Sequence, residues 1–508
     1  MGQANTLPTE KGRSNAGGPS KNGQKKSEKD INDNNPPALY EKRRRWHPKR
    51  VWGRFRQMKW AVLIALLGIY YIAPWIRWDR GADAANQAIL VDFTEGRIYF
   101  FALEFWQQEF YYITGILILA ALGLFLATAL LGRVWCGFAC PQTVWTDFFI
   151  WVERFIEGDR AARIRLDAAP WSTSKIAKRT LKHIIWLLIA LVTGGAWIAY
   201  FVDAPTLVSD IANFTVSGNT LFFVGLFTAT TYLLAGFARE QVCTYMCPWP
   251  RIQASMTDED SLLVTYEVPR GEPRAKPSRD GNYDDRGHCI DCNNCVVVCP
   301  TGIDIRDGNQ LECIGCGLCI DACDNVMDKI GLPRGLISYD SVNRMNARQH
   351  NEKPKHKIFR PRTVIYAVLM VAVAAIMGYV LSTRAHLDVN ILRDRNPMFV
   401  LMKDGSIQNG YTFKILNKTR EHREYVLTLD GLVGAGMKIA GDNAETDTLM
   451  LTSEPDSVRS YKLYVSAPKS VLNGRESTKV LFTLTETGAR ENQETAQYES
   501  VFVGPKKR

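Results

Sequence analysis

Histidine is scarce in this chain, with seven among 508 residues. None lies well inside an apolar run, and the nearest, His183, stands at the edge of one. Paired axial ligands for a membrane b-type haem are therefore missing. There is no C-x-x-C-H sequence for c-type haem and no Gly-rich dinucleotide fingerprint. The chain thus lacks a nicotinamide site of its own, and its electrons must come from a partner or from quinol. Large apolar residues are sparse at the start, "MGQANTLPTEKGRSNAGGPSKNGQKKSEKDINDNNPP". Residues 1–38 cannot bury enough surface to offset chain entropy and read as disordered. Without an apolar core they are not a secretory signal peptide.

Charge is missing from five long apolar runs, at 60–76, 110–132, 184–202, 219–238 and 363–381. Each is close to the roughly 20 residues that a bilayer-crossing helix needs, and a buried core helix is the weaker alternative. Lys and Arg are unevenly placed around them. "EKRRRWHPKRVWGRFRQMK" precedes the first run, 133–182 is rich in basic residues, and 344–362 is basic again. The loop 77–109 has few basic residues and 203–218 has none. Basic flanks stay in the cytoplasm, so the pattern predicts a cytoplasmic N-terminus, five crossings and an outer C-terminus. The juxtamembrane position of these charges suits lipid headgroups rather than nucleic acid.

All twelve cysteines fall into patterned groups. Cys289, Cys292, Cys295 and Cys299 follow C-x2-C-x2-C-x3-C-Pro, and Cys313, Cys316, Cys319 and Cys323 repeat the spacing, with Asp324 in place of the proline. This is the bacterial two-cluster ferredoxin signature. Three closely spaced cysteines wrap one cubane, and the fourth projects to the other. The expected ligands are Cys289, Cys292, Cys295 and Cys323 for one [4Fe–4S] cluster, and Cys313, Cys316, Cys319 and Cys299 for the second. Zinc uses paired C-x2-C ligands, and disulfides are disfavoured on the reducing side of a membrane. Gly315 and Gly317 allow close backbone approach. Asp291, Asp321 and Asp324 would lower the reduction potential.

The remaining cysteines form "WCGFACP" (Cys136, Cys140) and "VCTYMCP" (Cys243, Cys247), at the inner ends of the second and fourth runs. Two out-and-back hairpins ending in the same motif read as an internal duplication. In a helix, positions i and i+4 share a face, so each pair makes a dithiol clamp, and the proline after it starts a new helix. Alone, either pair reads equally well as small buried residues at a helix end. Two pairs at matched positions, with Arg133 and Arg239 upstream to favour thiolate, point to metal binding or redox chemistry. Residues 383–508 alternate apolar and polar positions between turn signals, as in a β-sandwich. With no cysteine and no catalytic constellation, this part reads as an interaction domain or a structural cap.

These parts divide the chain into a disordered start (1–38), a four-helix membrane domain (39–248), a linker (249–288), a two-cluster module (289–324), a basic linker (325–362), a fifth span (363–382) and an outer domain (383–508). The order of parts, with "WCGFACP", "VCTYMCP" and the double cubane run, resembles the FixG/CcoG/RdxA family. The resemblance implies a multi-domain protein of the bacterial inner membrane: five transmembrane α-helices, a cytoplasmic two-[4Fe–4S] ferredoxin-type module and a periplasmic immunoglobulin-like β-sandwich. It implies support for assembly of cbb-type cytochrome c oxidase through reduction of Cu(II) to Cu(I). Cys136, Cys140, Cys243 and Cys247 would then bind copper, and the protein would be a cupric reductase. Its partners would be membrane lipid, an electron donor, a copper transporter or chaperone and oxidase assembly factors. Two other readings stand beside this one: a quinol-linked membrane ferredoxin, and a copper-binding scaffold without redox chemistry. The oligomeric state, a homo-oligomer included, is left open.

Overall fold

The computed structural model describes residues 45–505, apart from 81–83, 278–282, 284–285, 351, 354–356, 385–386, 420, 443, 456, 473–475 and 488–493. The segment 1–38 lies outside the described residues. Two compact units are present: residues through Ile113 with Ala120–Ala367, and Thr114–Leu119 with Val368–Arg508.

Among the described residues, five helices are long and apolar enough to cross a membrane: Arg54–Trp75, Tyr111–Leu131, Thr173–Ile198, Gly218–Ala238 and Pro361–Ser382. Two begin well before their apolar runs. The first starts at Arg54, because the polar side chains of its opening turns have buried partners. Asp147 receives Arg56 at 2.8 Å and Lys59 at 3.6 Å. The third starts at Thr173 rather than 184 and ends at Ile198. The Ser172 hydroxyl caps it by accepting from the Lys175 N–H. Hydropathy marks only the apolar part of a helix, whereas backbone hydrogen bonding runs on into basic flanks. His183 consequently sits within the third span and not at its edge.

At the ends of the helices away from the cysteine motifs, the loop 77–109 folds into an antiparallel meander. Its strands are β1 (Ile89–Asp92), β2 (Arg97–Phe100) and β3 (Leu103–Trp106). The Val91 N–H donates to the Tyr200 carbonyl at 2.8 Å, which ties this meander to the end of the third span. Buried Arg80 holds the loop by donating to the carbonyls of Ala85, Gln87, Ala88 and Phe101.

Both stretches expected to be linkers contain regular structure among their described residues. Strand β4 (Leu263–Tyr266) pairs antiparallel with β5 (Ile337–Asp340), from Leu263↔Asp340 to Tyr266↔Ile337. Together they close the cysteine-rich module from both sides in sequence. Val264, Tyr266, Leu336 and Ile337 share one core with Cys289, Cys295, Ile305, Ile320 and Met327. Charge and proline suggested a tether, but alternate apolar residues at Leu263–Tyr266 have a core to enter. The module is also docked on the first span. The Asp321 carboxylate accepts from the N–H groups of Phe55 (3.1 Å) and Arg56 (2.7 Å), capping that helix at its positive end.

The second unit contains a β-sandwich. One sheet runs β10 (Gly436–Ile439), β12 (Ser457–Ala467), β8 (Ile407–Asn417), β6 (Leu387–Arg393), with β7 (Val400–Leu401) also on β8. The other runs β11 (Thr448–Ser453), β9 (Arg423–Asp430), β13 (Ser477–Glu486), β14 (Thr495–Val503). Period-two burial along β8 sends Tyr411 and Phe413 inward against Phe482. Buried Asn409 clips Val503 with both ends of its amide.

Candidate functional site

The two cysteine motifs are the same piece of backbone used twice. Four residues before each first cysteine the chain turns through a positive φ, at Gly132 (62°) and at Arg239 (47°). A π-helical turn follows, Trp135–Ala139 in one copy and Val242–Met246 in the other. The second cysteine is extended, and its N–H reaches back five residues: Cys140 to the Trp135 carbonyl and Cys247 to the Val242 carbonyl, each 2.8 Å. The proline then admits a new helix, Pro141–Glu157 or Trp249–Met256. An α-helical i, i+4 clamp was expected, and a π turn with an extended second cysteine is found. In both copies a residue of positive φ closes the preceding helical segment just upstream, an α-helix before Gly132 and a π-helical stretch, Tyr232–Ala238, before Arg239.

Arg239 gives its polar contacts to groups other than the thiols. Its left-handed backbone, unfavourable for a long side chain, is held by its own contacts. It donates to the Gly236 carbonyl (2.8 Å) and pairs with Glu153 (3.0 Å). Arg133 does line the thiol cavity, with its hydrogen bonds going to carbonyls: Leu311, Cys313 (2.9 Å) and Pro250 (3.1 Å).

All four of these cysteines line one cavity of about 240 Å³, together with Leu311, Glu312, Cys313 and Ile314 of the ferredoxin-like module. The approach between motif and module is close. A Cβ at Gly137 would stand 2.6 Å from the Gly315 carbonyl oxygen and 3.0 Å from that of Ile314. Cys136 donates its S–H to buried Gln253 Oε1 at 3.3 Å. Burial raises the Cys136 thiol to about 12 and the other three thiols add to this, outweighing Arg133. Cys243 is pushed to about 11, again chiefly by burial. The expected depression by arginine is thus reversed, and these groups are thiols until a metal displaces their protons.

The eight module cysteines gather in two sets. Cys289, Cys292, Cys295 and Cys323 line one internal cavity. Cys299, Cys313, Cys316 and Cys319 line a second, with Cys295 between the two. The loops match in conformation. Asp291 (φ 51°) and Asn293 (φ 55°) occupy the left-handed positions taken by Gly315 (64°) and Gly317 (71°) in the repeat. Asn and Asp are the side chains that best tolerate that region. Among the described residues no three His, Cys, Asp or Glu converge as ligands of a single ion. A cubane takes each cysteine on a different iron, so cysteines spread around a cavity are what it requires. The all-sulfur donor sets and left-handed loops fit it.

The acidic neighbours are engaged. Asp291 pairs with Arg306 at 2.6 Å, Asp321 caps the first span, and Asp324 accepts from the Gly335 N–H at 2.9 Å. Their pull toward low potential is correspondingly offset. Sequence reading missed Gln253, Glu153 and Trp46. The Trp46 indole N–H donates to the Cys299 carbonyl at 2.6 Å. Its signal was present in "RRRWHPKR", where a tryptophan and a histidine interrupt a run that charge alone explained as topology.

Family models match three parts of the chain: "4Fe-4S dicluster domain" at 238–342, "4Fe-4S binding domain" at 113–158, and "IG-like fold at C-terminal of FixG, putative oxidoreductase" at 377–505. Together with the five apolar helices, they define the class: a membrane-associated iron–sulfur electron-transfer protein with an Ig-like C-terminal domain. The chain is 50% identical over 460 residues to "Nitrogen fixation protein FixG" of Rhizobium meliloti, covering 85% of this chain and 88% of that one. "Protein RdxA" of Cereibacter sphaeroides is 45% identical over 92% of this chain and 98% of its own. "Protein RdxB" of the same organism is 48% identical over 86% and 92%. The chain belongs to the FixG/RdxA family.

Proposed function

We propose that this protein reduces Cu(II) to Cu(I) at the four thiols Cys136, Cys140, Cys243 and Cys247. One observation carries the reading: those thiols line the same cavity as Cys313 of the iron–sulfur module. Two [4Fe–4S] clusters are assigned, one to Cys289, Cys292, Cys295 and Cys323, the other to Cys313, Cys316, Cys319 and Cys299. When bound they supply single electrons, the number that Cu(II) needs to become Cu(I).

The chain's own groups do the rest. Cu(II) prefers nitrogen and oxygen, whereas Cu(I) is stabilised by soft thiolate sulfur, so a cavity lined by thiols favours the product oxidation state, with one dithiol pair at a time serving an ion because no three of the four converge. Gln253 holds the Cys136 thiol in place. Arg133 staples the first motif to the Leu311 and Cys313 carbonyls, which keeps thiols and module together. Burial holds Cys136 and Cys243 protonated in the absence of a metal, so copper entry releases their protons, which return as copper leaves.

Basic residues before the first span, in 133–182 and in 344–362 support a cytoplasmic N-terminus, cytoplasmic clusters and a periplasmic Ig-like domain in a bacterial inner membrane. The physiological role we assign is Cu(I) supply for assembly of cbb-type cytochrome c oxidase. The Ig-like domain would dock assembly factors, and a copper transporter or chaperone would deliver or receive the metal. The test is to reduce the purified protein with dithionite, remove excess reductant, add Cu(II) and follow Cu(I) with a chelator. Replacing all four membrane-motif cysteines by serine should abolish Cu(I) formation while the iron–sulfur absorbance persists. Undiminished Cu(I) formation in that variant overturns the site.

A further inference from the structure

A cavity of about 810 Å³ in the first unit is distinct from the thiol cavity. It lies where the third span meets the basic loop, and nothing above gives it a role. Its walls are aromatic and protonatable: Trp46, His47, Asp167, His183, Trp186 and Phe237. Its mouth includes Ile184 and Leu187, which are exposed side chains of the third span and so face lipid. That edge gives a ligand dissolved in the bilayer a way in, beside a second opening past exposed Trp171 and Ile176.

Charge argues against a phospholipid headgroup. Among the lining cations, Arg239 is held by Glu153 at 3.0 Å, Lys182 by Glu157 at 2.9 Å, and Arg179 by Glu157 and Asp167. Lys175 is spent on the carbonyls of Asp167 and Ala169. An incoming phosphate would have to displace a carboxylate or a carbonyl from each of these, which leaves exposed Arg45 at the rim.

Proton acceptors, in contrast, are ready. His47 is 5% exposed, and its Nε2 meets Asp167 Oδ2 at 2.8 Å. Its Nδ1 is buried with no hydrogen-bond partner. A histidine that donates Nε2–H to a carboxylate leaves Nδ1 as a lone-pair acceptor. Across the cavity, His183 Nδ1 lies 3.0 Å from Tyr232 Oη, and its ring stacks on Phe237.

The cavity also touches the iron–sulfur module. Trp46 forms part of its wall while donating to the Cys299 carbonyl at 2.6 Å, and a Cβ at Gly302 would stand 2.9 Å from its ring. Trp46, Arg239 and Glu240 also line a smaller neighbouring cavity that reaches Cys243 and Thr301.

We infer that this cavity binds a quinol from the membrane and is the entry point for electrons. The quinol ring lies among the aromatic walls with its isoprenoid tail leaving past Ile184 and Leu187. Its two O–H bonds break. One proton passes to the His47–Asp167 pair in the cavity wall, and the other to His183 Nε2, with His183 Nδ1–H donating to Tyr232 Oη. The two electrons leave singly to the chain's iron–sulfur groups, and the quinol becomes quinone. The inference rests on the chain being an iron–sulfur electron carrier and is independent of copper as the acceptor.

The experiment uses the full-length protein with its clusters, in lipid nanodiscs, with decylubiquinol and menadiol tried in parallel and no copper present. Quinone binding is measured calorimetrically and located with an azido-ubiquinone photolabel; cluster reduction is read from the loss of iron–sulfur absorbance. We expect saturable binding, photolabel on peptides containing Trp46–His47 or the start of the third span, and cluster reduction by at least one of the two quinols. His47→Gln should leave binding nearly intact but slow quinol-driven reduction at least about tenfold, the lower range for loss of a general base. Ile184→Trp, which narrows the mouth, should abolish binding. Both variants should reduce normally with dithionite and still form Cu(I) afterwards. Label placed elsewhere, a cavity filled by phospholipid that quinone does not displace, binding without reduction by either quinol, or equal slowing with dithionite each overturns the proposal. Loss of Cu(I) formation alone leaves it standing and instead removes the cupric reductase reading.

Discussion

Replacing Gly137 with alanine should separate the thiol motif from the cluster loop while removing no ligand. The added Cβ would stand 2.6 Å from the Gly315 carbonyl oxygen and 3.0 Å from the Ile314 oxygen. Carbon contacts are comfortable at about 3.5 Å, so one backbone must retreat by several tenths of an ångström. Neither can do so freely. Gly137 sits in a π turn pinned by the Cys140–Trp135 hydrogen bond, and Gly315 accepts from Tyr339 Oη. Overpacking of this kind costs about 1–3 kcal/mol, which at 1.4 kcal/mol per decade shifts the docked-to-undocked equilibrium roughly 5- to 100-fold. The assay compares melting temperature, iron content and the rate of Cu(I) formation from dithionite-reduced protein. Gly137→Ala should keep its iron, melt lower and pass electrons to copper more slowly. Gly123→Ala, where a Cβ meets nothing within 4 Å, is the control and should change neither quantity. If Gly137→Ala matches that control in both, the motif and module are not in functional contact and the relay from Cys313 to the thiols is wrong.

Three other outcomes follow from particular contacts. Cys323→Ser and Cys299→Ser should each remove a different cluster signal in electron paramagnetic resonance of the reduced protein; loss of the same signal by both would contradict the two cavities they line. Burial works to raise Glu153, but Arg239, Arg163 and Lys182 together hold its carboxyl down to about 2. A depressed carboxyl contributes stability above its unfolded value, and this is lost as pH falls from about 4.5 toward 2. Glu153→Gln should therefore lower the melting temperature at neutral pH, by roughly 3–5 kcal/mol of lost stability, and flatten the acid limb of its pH profile. In the Ig-like domain, Phe482→Ala removes a ring 1% exposed and 5.2 Å from Tyr411. It should cost about 3–5 kcal/mol in a calorimetric transition of that domain, with copper reduction by the membrane unit unchanged.

Much of the architecture was legible because its signals are local. A bilayer-crossing helix is written in consecutive apolar residues, a cubane loop in cysteine spacing, and a strand in period-two alternation, as along Ile407–Asn417. Where a feature depends on a distant partner, the local signal misled. The first span begins at Arg54 because Asp147 and Asp321 receive its polar start. The supposed linker at Leu263–Tyr266 is a strand because Ile337–Asp340 pairs with it. Arg239 beside "VCTYMCP" looked like a thiolate stabiliser, and it instead neutralises Glu153.

By itself, then, the sequence determined the inventory: five spans, two cubane-type cysteine runs, a duplicated Cys-x-x-x-Cys-Pro motif and a cysteine-free β domain. Each is a pattern within a few dozen residues, which periodicity and ligand spacing can encode. The tertiary structure alone decided that four thiols from the two motifs share a cavity with Cys313, that Gly137 and Gly315 pack backbone to backbone, and that Trp46 links a second cavity to Cys299. These contacts join residues far apart in the chain. They arise from the packing of helices and loops, for which a single chain of letters carries no local mark.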